Sequence, residues 1–146
     1  MRRYAFLTIL AAAVLPVLAI AGPASAATST IVVYDHQSHF QGTDTSFSFN
    51  GTLHQDGRHG TIVGSVKVSC WQVSGKDVTC DATATFSGAD GNGQIFVSGT
   101  FNGNKNHFYL PITGGSGDFA GATGQVERTG LAPGSPNLEL LVFHLK

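Results

Sequence analysis

The chain has 146 residues, of which 12% are charged and 10% aromatic, and its formal net charge is −1. This length fits one domain preceded by an amino-terminal leader. Concentrated positive charge drives binding to phosphate backbones, and the sequence has no run of lysine or arginine. The composition therefore argues against a nucleic-acid partner.

The first 26 residues have the three parts of an export signal. Arg2 and Arg3 supply the positive start, residues 6–20 the apolar segment, and residues 24–26 the small side chains of a cleavage site. Pro16 interrupts the apolar run, which argues against a membrane anchor. We expect residues 1–26 to be a signal peptide that is removed. Residues 27–146 would then be one secreted, extracellular domain with no membrane contact and a net charge of about −3, from six basic and nine acidic residues.

After residue 26, apolar and polar residues alternate with the period of two that is typical of β-strands, and no window has helical spacing. Short turns rich in Gly, Asn and Asp separate the segments, which favours antiparallel neighbours. Eight such strands can close into a barrel without free edges. We predict an all-β fold, a single eight-stranded antiparallel β-barrel. The predicted strands cover residues 30–36, 45–54, 61–73, 78–86, 94–101, 106–113, 124–129 and 137–145.

The alternation divides each strand into two faces. On the third predicted strand Val66, Val68 and Cys70 share one face, and on the fourth Val78 and Cys80 do so. The apolar side normally fills a small barrel, but an oligomer can make both sides partly apolar. Which face lines the lumen is therefore left open by the sequence.

Cys70 and Cys80 flank the predicted turn at residues 74–77 at nearly equal distances. In a tight hairpin they would face each other across adjacent strands, close enough for a disulfide. Export favours oxidation, so we expect a disulfide and not a reactive thiol. An immunoglobulin-like sandwich is the rival fold, but its inter-sheet cysteines lie much farther apart in sequence.

Residues 112–126 contain five glycines between the sixth and seventh predicted strands. Glycine adopts positive φ at little steric cost, so the stretch predicts a shaped loop. Phe119 is the lone aromatic side chain among small residues. We expect it to anchor the loop in an apolar core.

The same stretch carries the pattern Gly-Gly-Ser/Thr-Gly-x-Phe/Tyr-x-x-Ala-x-Gly. This pattern resembles the signature of the allene oxide cyclase/dirigent-like barrel superfamily. Residues 56–64, the cysteine pair and the run GNGQIFVSG resemble its secreted bacterial branch. The residues of the structural motif are Gly114, Gly115, Ser116, Gly117, Phe119, Ala122 and Gly124. The resemblance implies a lumen that takes an apolar small molecule, no cofactor, and assembly as a homodimer or homotrimer.

From this resemblance we expect a secreted β-barrel that binds an apolar small molecule in its lumen and steers its cyclisation or isomerisation, as an isomerase or cyclase would. Holding a flexible substrate in one conformer selects one product with little need for covalent catalysis. The alternative is a non-catalytic secreted binding or structural barrel. The low charged fraction of 12% favours that alternative.

Three residues are candidates for catalysis. His107 and Tyr109 share a face of the sixth predicted strand. If that face looks into the lumen they could transfer protons, and if it looks outward they are solvated polar residues. Glu139 shares its face with apolar residues, where desolvation would raise its pKa and suit it to acid/base chemistry. Its alternative role is an ion pair with Arg128 or Lys146.

Four further residues are predicted to bind the substrate: Tyr34, Asp35, Trp71 and Phe96. Asp35 is in addition a carboxylate candidate of the same kind as Glu139. His36 and His39 form a His-x-x-His sequence, but a spacing of three on an extended chain points the side chains to opposite faces. We therefore expect no metal site.

Overall fold

The computed structural model describes residues 28–131 and 137–146. The predicted signal peptide, residues 1–26, lies outside the described residues. The described ranges contain eight strands and no helix, so no helix in them could span a membrane. The strands are β1 Ser29–Gly42, β2 Ser46–His54, β3 Ile62–Ser74, β4 Asp77–Gly88, β5 Gly91–Asn102, β6 His107–Gly117, β7 Gly124–Gly130 and β8 Leu138–Leu145.

Each strand pairs antiparallel with its neighbour in the chain, and β8 pairs with β1 to close the sheet into a barrel. At this closure Ser29 lies opposite Leu145 and Val33 lies opposite Leu141. Closure gives every described strand two neighbours, so the sheet they form has no edge strand. The predicted fold class, a closed eight-stranded antiparallel barrel, is confirmed.

β1 continues to Gly42, whereas the alternation predicted an end at residue 36. The added residues pair with β2 across a β-bulge between Ser38 and Gln41, where His39 has a φ of 52°. A bulge inserts one residue and so reverses which face the following side chains take. A period-two pattern therefore cannot follow the strand through this point.

Part of the glycine-rich stretch is strand and not loop. β6 continues to Gly117, and its last residues pair with Gly93 to Phe96 of β5. A Cβ on Gly115 would collide with the backbone carbonyl of Phe119, and one on Gly117 with that of Asn92. The loop predicted between the strands ending at residue 113 and beginning at residue 124 is thus wrong at its start, because these glycines let backbones approach within the sheet. The loop covers residues 118–123.

Apolar side chains fill the end of the barrel at which the β6–β7 loop lies. Phe119 extends from that loop and is buried. Its ring centroid is 5.4 Å from that of Phe86, which lies 5.4 Å from Phe143. Leu53 and Ile95 are fully buried in the same core. This packed end, which we call the closed end, leaves space only in the other half of the barrel.

Candidate lumenal site

The half of the barrel away from the closed end encloses a cavity of about 380 Å³. Phe143 separates it from the closed end, and Val68, Ala82 and Val97 contribute apolar wall. Solvent-exposed residues of the β1–β2 and β5–β6 ends, Phe40 and Lys105, also line it. The cavity therefore reaches the surface at this open end.

The structure decides which face of the hairpin β3–β4 looks inward. The apolar face, with Val66, Val68, Cys70, Val78 and Cys80, lines the cavity. Cys70 and Cys80 lie opposite each other in the β3–β4 register and form a disulfide, with their Cα atoms 4.1 Å apart. The expected disulfide is present, and it forms part of the cavity wall.

Two carboxyl groups enter this apolar cavity side by side. Asp35 of β1 lies opposite Glu139 of β8, and their exposed fractions are 1% and 7%. Arg128 of β7 forms an ion pair with Glu139 and holds its guanidinium 5.3 Å from the ring centroid of Phe108. Of the two buried acids, Glu139 is therefore the one paired with Arg128.

Burial above all, and then the neighbouring Glu139 carboxylate, raise the pKa of Asp35 while Arg128 lowers it in part, and the result is a pKa of about 7. The Oδ1 atom of Asp35 is buried without a hydrogen-bond partner among the described residues. Gly51 of β2 provides the room for this group, because a Cβ there would collide with Oδ1. Near neutral pH, Asp35 can therefore either give up or take a proton.

Two stacked aromatic pairs stand near the open end of the cavity. The rings of Phe40 and Phe47 are 5.4 Å apart and 22° from parallel, and those of Phe101 and Phe108 are 3.7 Å apart and 11° from parallel. All four side chains line the cavity. Phe40 does so because the β1 bulge turns it inward. The pairs give the cavity flat apolar surfaces.

The sequence matches no family model and none of the curated proteins. Solved structures do match. A pyocyanin demethylase is 23% identical with a TM-score of 0.63, over 81% of this chain and 98% of that chain. A pterocarpan synthase dirigent protein is 16% identical with a TM-score of 0.62, over 83% and 97%. The exo-specific intermolecular Diels-Alderase AbnU is 14% identical with a TM-score of 0.63, over 82% and 98%. The chain shares the barrel fold of these proteins.

In this barrel, one of the three predicted catalytic residues faces the cavity. Glu139 does so. It also forms the ion pair with Arg128 that was the alternative role expected from the sequence. His107 and Tyr109 lie on the exposed outer wall, their ring centroids 5.1 Å apart. Of the two orientations considered from the sequence, the outward one describes their position. Any catalytic role of these residues stays a prediction.

On the outer wall, Glu127 lies between two histidines. Its Oε1 is 2.8 Å from Nε2 of His107, and its Oε2 is 3.3 Å from Nε2 of His144. These hydrogen bonds, that of His107 first, lower the pKa of Glu127. The group is separated from the lumen by the barrel wall.

Of the four predicted substrate-binding residues, Asp35 lies in the cavity and the other three do not line it. In the sequence Tyr34 is adjacent to Asp35 and Trp71 is adjacent to Cys70. Because Asp35 and Cys70 point inward, Tyr34 and Trp71 point outward, and Trp71 is exposed. Phe96 lies in an open depression of the outer wall with Lys67 and Asp81. Alternation along a strand separates residues that point into the lumen from those that point outward, but only once the inward face is known.

No lumenal role was predicted from the sequence for Arg128, Gly51 or the four stacked phenylalanines. Arg128 shares its face with Val126, so alternation along β7 could have placed it inside. Gly51 carried no signal, because its importance comes from the contact with Asp35 of another strand. The face on which Phe40 lies could not be predicted, because the bulge shifts the alternation of β1 before this residue.

Proposed function

We propose that this protein binds an apolar small molecule in the barrel lumen and steers its cyclisation or isomerisation. The observation that carries the proposal is the apolar cavity of about 380 Å³, whose wall contains the acid Asp35. A cavity of about 150 Å³ holds benzene. A lumen of this size has room for a molecule of about two or three rings.

Confinement supplies most of the proposed effect. A flexible substrate held between the stacked phenylalanines would be restricted to few conformers, and the product is selected by the conformer that reacts. Asp35 would give a proton to the substrate and take one back, which an isomerisation requires without any net change in the enzyme. The Glu139–Arg128 pair would stabilise charge that develops nearby. The Diels-Alderase and dirigent neighbours support a cyclisation on this fold.

A secreted binding barrel without catalysis is the second candidate. It is favoured by the position of His107 and Tyr109, which leaves the cavity with fewer acid/base groups than the sequence suggested. The two candidates share the bound ligand and differ in turnover. The Cys70–Cys80 disulfide supports the extracellular location common to both.

Binding is tested by filling the cavity from one strand. Ala82→Phe places a ring in the lumen, whereas Thr85→Phe places the same ring on the exposed outer face of β4. We expect Ala82→Phe to weaken binding of the apolar dye N-phenylnaphthylamine by about tenfold or more, and Thr85→Phe to leave it unchanged. Equal binding by both folded variants and the wild type would contradict a lumenal site.

Catalysis is tested on the natural ligand. Mass spectrometry of protein purified from its own culture medium would identify a retained molecule or product. We expect wild-type protein to convert the corresponding precursor to a single isomer, and Asp35→Asn to bind the precursor but convert it at least about tenfold more slowly. Binding without conversion by the wild type would favour the second candidate.

A further inference from the structure

We infer that the lumenal ligand is a neutral molecule that presents a hydrogen-bond acceptor, such as a ketone or quinone carbonyl, to the protonated carboxyl group of Asp35, and that binding is lost when Asp35 ionises. The choice of this ligand class rests on the proposed function of the lumen. Its basis is the set of groups around Asp35, taken element by element.

Asp35 has an unmet hydrogen bond. It is 1% exposed, and its Oδ1 lacks a partner among the described residues. Buried polar groups are nearly always hydrogen-bonded, and those that are not call for an explanation such as a ligand. Asp35 is among the residues that line the cavity, so a molecule in the lumen lies beside its carboxyl group.

Few groups around Asp35 can serve it. Gly51 of β2 offers no side chain, and neither Glu139 of β8, which could accept from a protonated Asp35, nor Gln37 on β1 is hydrogen-bonded to Oδ1 of Asp35. Arg128 of β7 is already paired with Glu139. Lys105 also lines the cavity, but it is exposed in the β5–β6 turn. A ligand in the lumen can therefore supply the partner that Asp35 lacks among these residues.

The charges favour the protonated acid. With Asp35 neutral, Glu139 and Arg128 cancel each other, and this buried group of three carries no net charge. Ionised Asp35 would add an unpaired negative charge against apolar wall, which is costly. The pKa near 7 reflects the same balance. A protonated carboxyl has an O–H to donate, so it needs an acceptor.

The same groups argue against charged ligands. With Asp35 protonated, Glu139 and Arg128 already neutralise each other, so an ammonium or a carboxylate group on the ligand would add an uncompensated charge to an apolar cavity. A neutral carbonyl adds none. The stacked pairs Phe40–Phe47 and Phe101–Phe108 offer flat apolar surfaces for the rest of such a molecule.

The test compares three probes of similar size. Prodan is a neutral naphthalene ketone, dimethylaminonaphthalene is its counterpart without the ketone, and naphthylmethylamine is a cation. Dissociation constants are measured at about pH 5.5 and about pH 8.5, with circular dichroism as a check that the protein stays folded. Because only the protonated fraction of Asp35 is competent, prodan should bind at least about tenfold more weakly at the higher pH. Dimethylaminonaphthalene should show no such change.

Asp35→Asn supplies the matched control, because its amide N–H donates at every pH. We expect this variant to bind prodan with an affinity that no longer depends on pH, and Asp35→Leu to lose the preference for prodan over dimethylaminonaphthalene. Equal, pH-independent binding of both neutral probes to the wild type would overturn the acceptor assignment while leaving the lumenal site intact. Tighter binding of naphthylmethylamine at the higher pH would overturn it in favour of a cation. Failure of every probe to bind would count against the proposed function itself.

Discussion

The position and the protonation of the Asp35 carboxyl group are determined by its neighbours. It follows the apolar inward residues Ile31 and Val33 on β1, and it faces the backbone of Gly51. A larger residue at position 51 would displace the carboxyl group, so glycine and acid form one unit across β1 and β2. The arrangement keeps a proton on a carboxyl group that in water would lose it.

Stability should depend on the pH through Asp35. The pKa rises from 3.8 in the unfolded chain to about 7 in the folded one. Between these values the folded chain holds a proton that the unfolded chain releases, so raising the pH favours unfolding. The full cost, reached above about pH 7, is on the order of 4 kcal/mol. Asp35→Asn should therefore gain stability relative to the wild type as the pH rises from about 4 to about 7.

Urea unfolding of both proteins across this pH range measures the difference in free energy of unfolding. Asp81→Asn, which removes an exposed carboxyl group on the outer face of β4, is the control and should follow the wild type. A difference between wild type and Asp35→Asn that stays constant with pH would show that Asp35 titrates normally.

At the scale of elements, the hairpin β3–β4 is the covalently fixed part of the barrel. The disulfide joins residues ten apart in sequence and locks the register that puts the apolar face inward. A slip of one residue would exchange the two faces, so a cross-strand link protects the cavity wall as well as the hairpin.

Removal of this link by Cys70→Ser together with Cys80→Ser should lower the free energy of unfolding by about 2–3 kcal/mol, because the unfolded chain regains the entropy of the closed loop. Denaturant unfolding with and without dithiothreitol provides the measurement. Reductant should bring the wild type to the level of the double variant and leave the variant unchanged. No effect of reductant on the wild type would mean that the bond is not stabilising.

At the scale of the whole molecule, the barrel is packed at one end and hollow at the other. The loop residue Phe119 completes the packed end against Phe86 and Phe143, while the bulge of β1 brings Phe40 over the hollow end. Stability and binding are thereby placed in different halves of the same sheet. Phe143 belongs to both halves, because it packs in the core and lines the cavity.

This division is tested by truncating one ring in each half. Phe119→Ala should cost about 3–5 kcal/mol of stability, because it leaves a cavity in packed surroundings. Phe40→Ala, at a side chain that is 66% exposed, should cost less than about 1 kcal/mol. Phe40→Ala should instead speed the release of a bound dye. Equal losses of stability, measured by thermal and urea unfolding, would contradict the division.

The residue pattern was sufficient for the fold and for the covalent link. Alternation, turn residues and the spacing of Cys70 and Cys80 are local properties, and each limits the backbone within a hairpin. Glu139 could be identified from the sequence as an acid among apolar residues, and Asp35 as a second candidate of the same type. Both of these residues do face the lumen.

The inward face and the composition of the site came from closure of the barrel. Closure pairs β1 with β8 and so joins Asp35 to Glu139 from opposite ends of the described domain, with Arg128 beside them. It also turns His107 to the outer wall. Alternation has two equivalent phases, and a bulge switches between them, so a pattern along one strand cannot tell inside from outside. The neighbours that each strand meets in three dimensions make that choice.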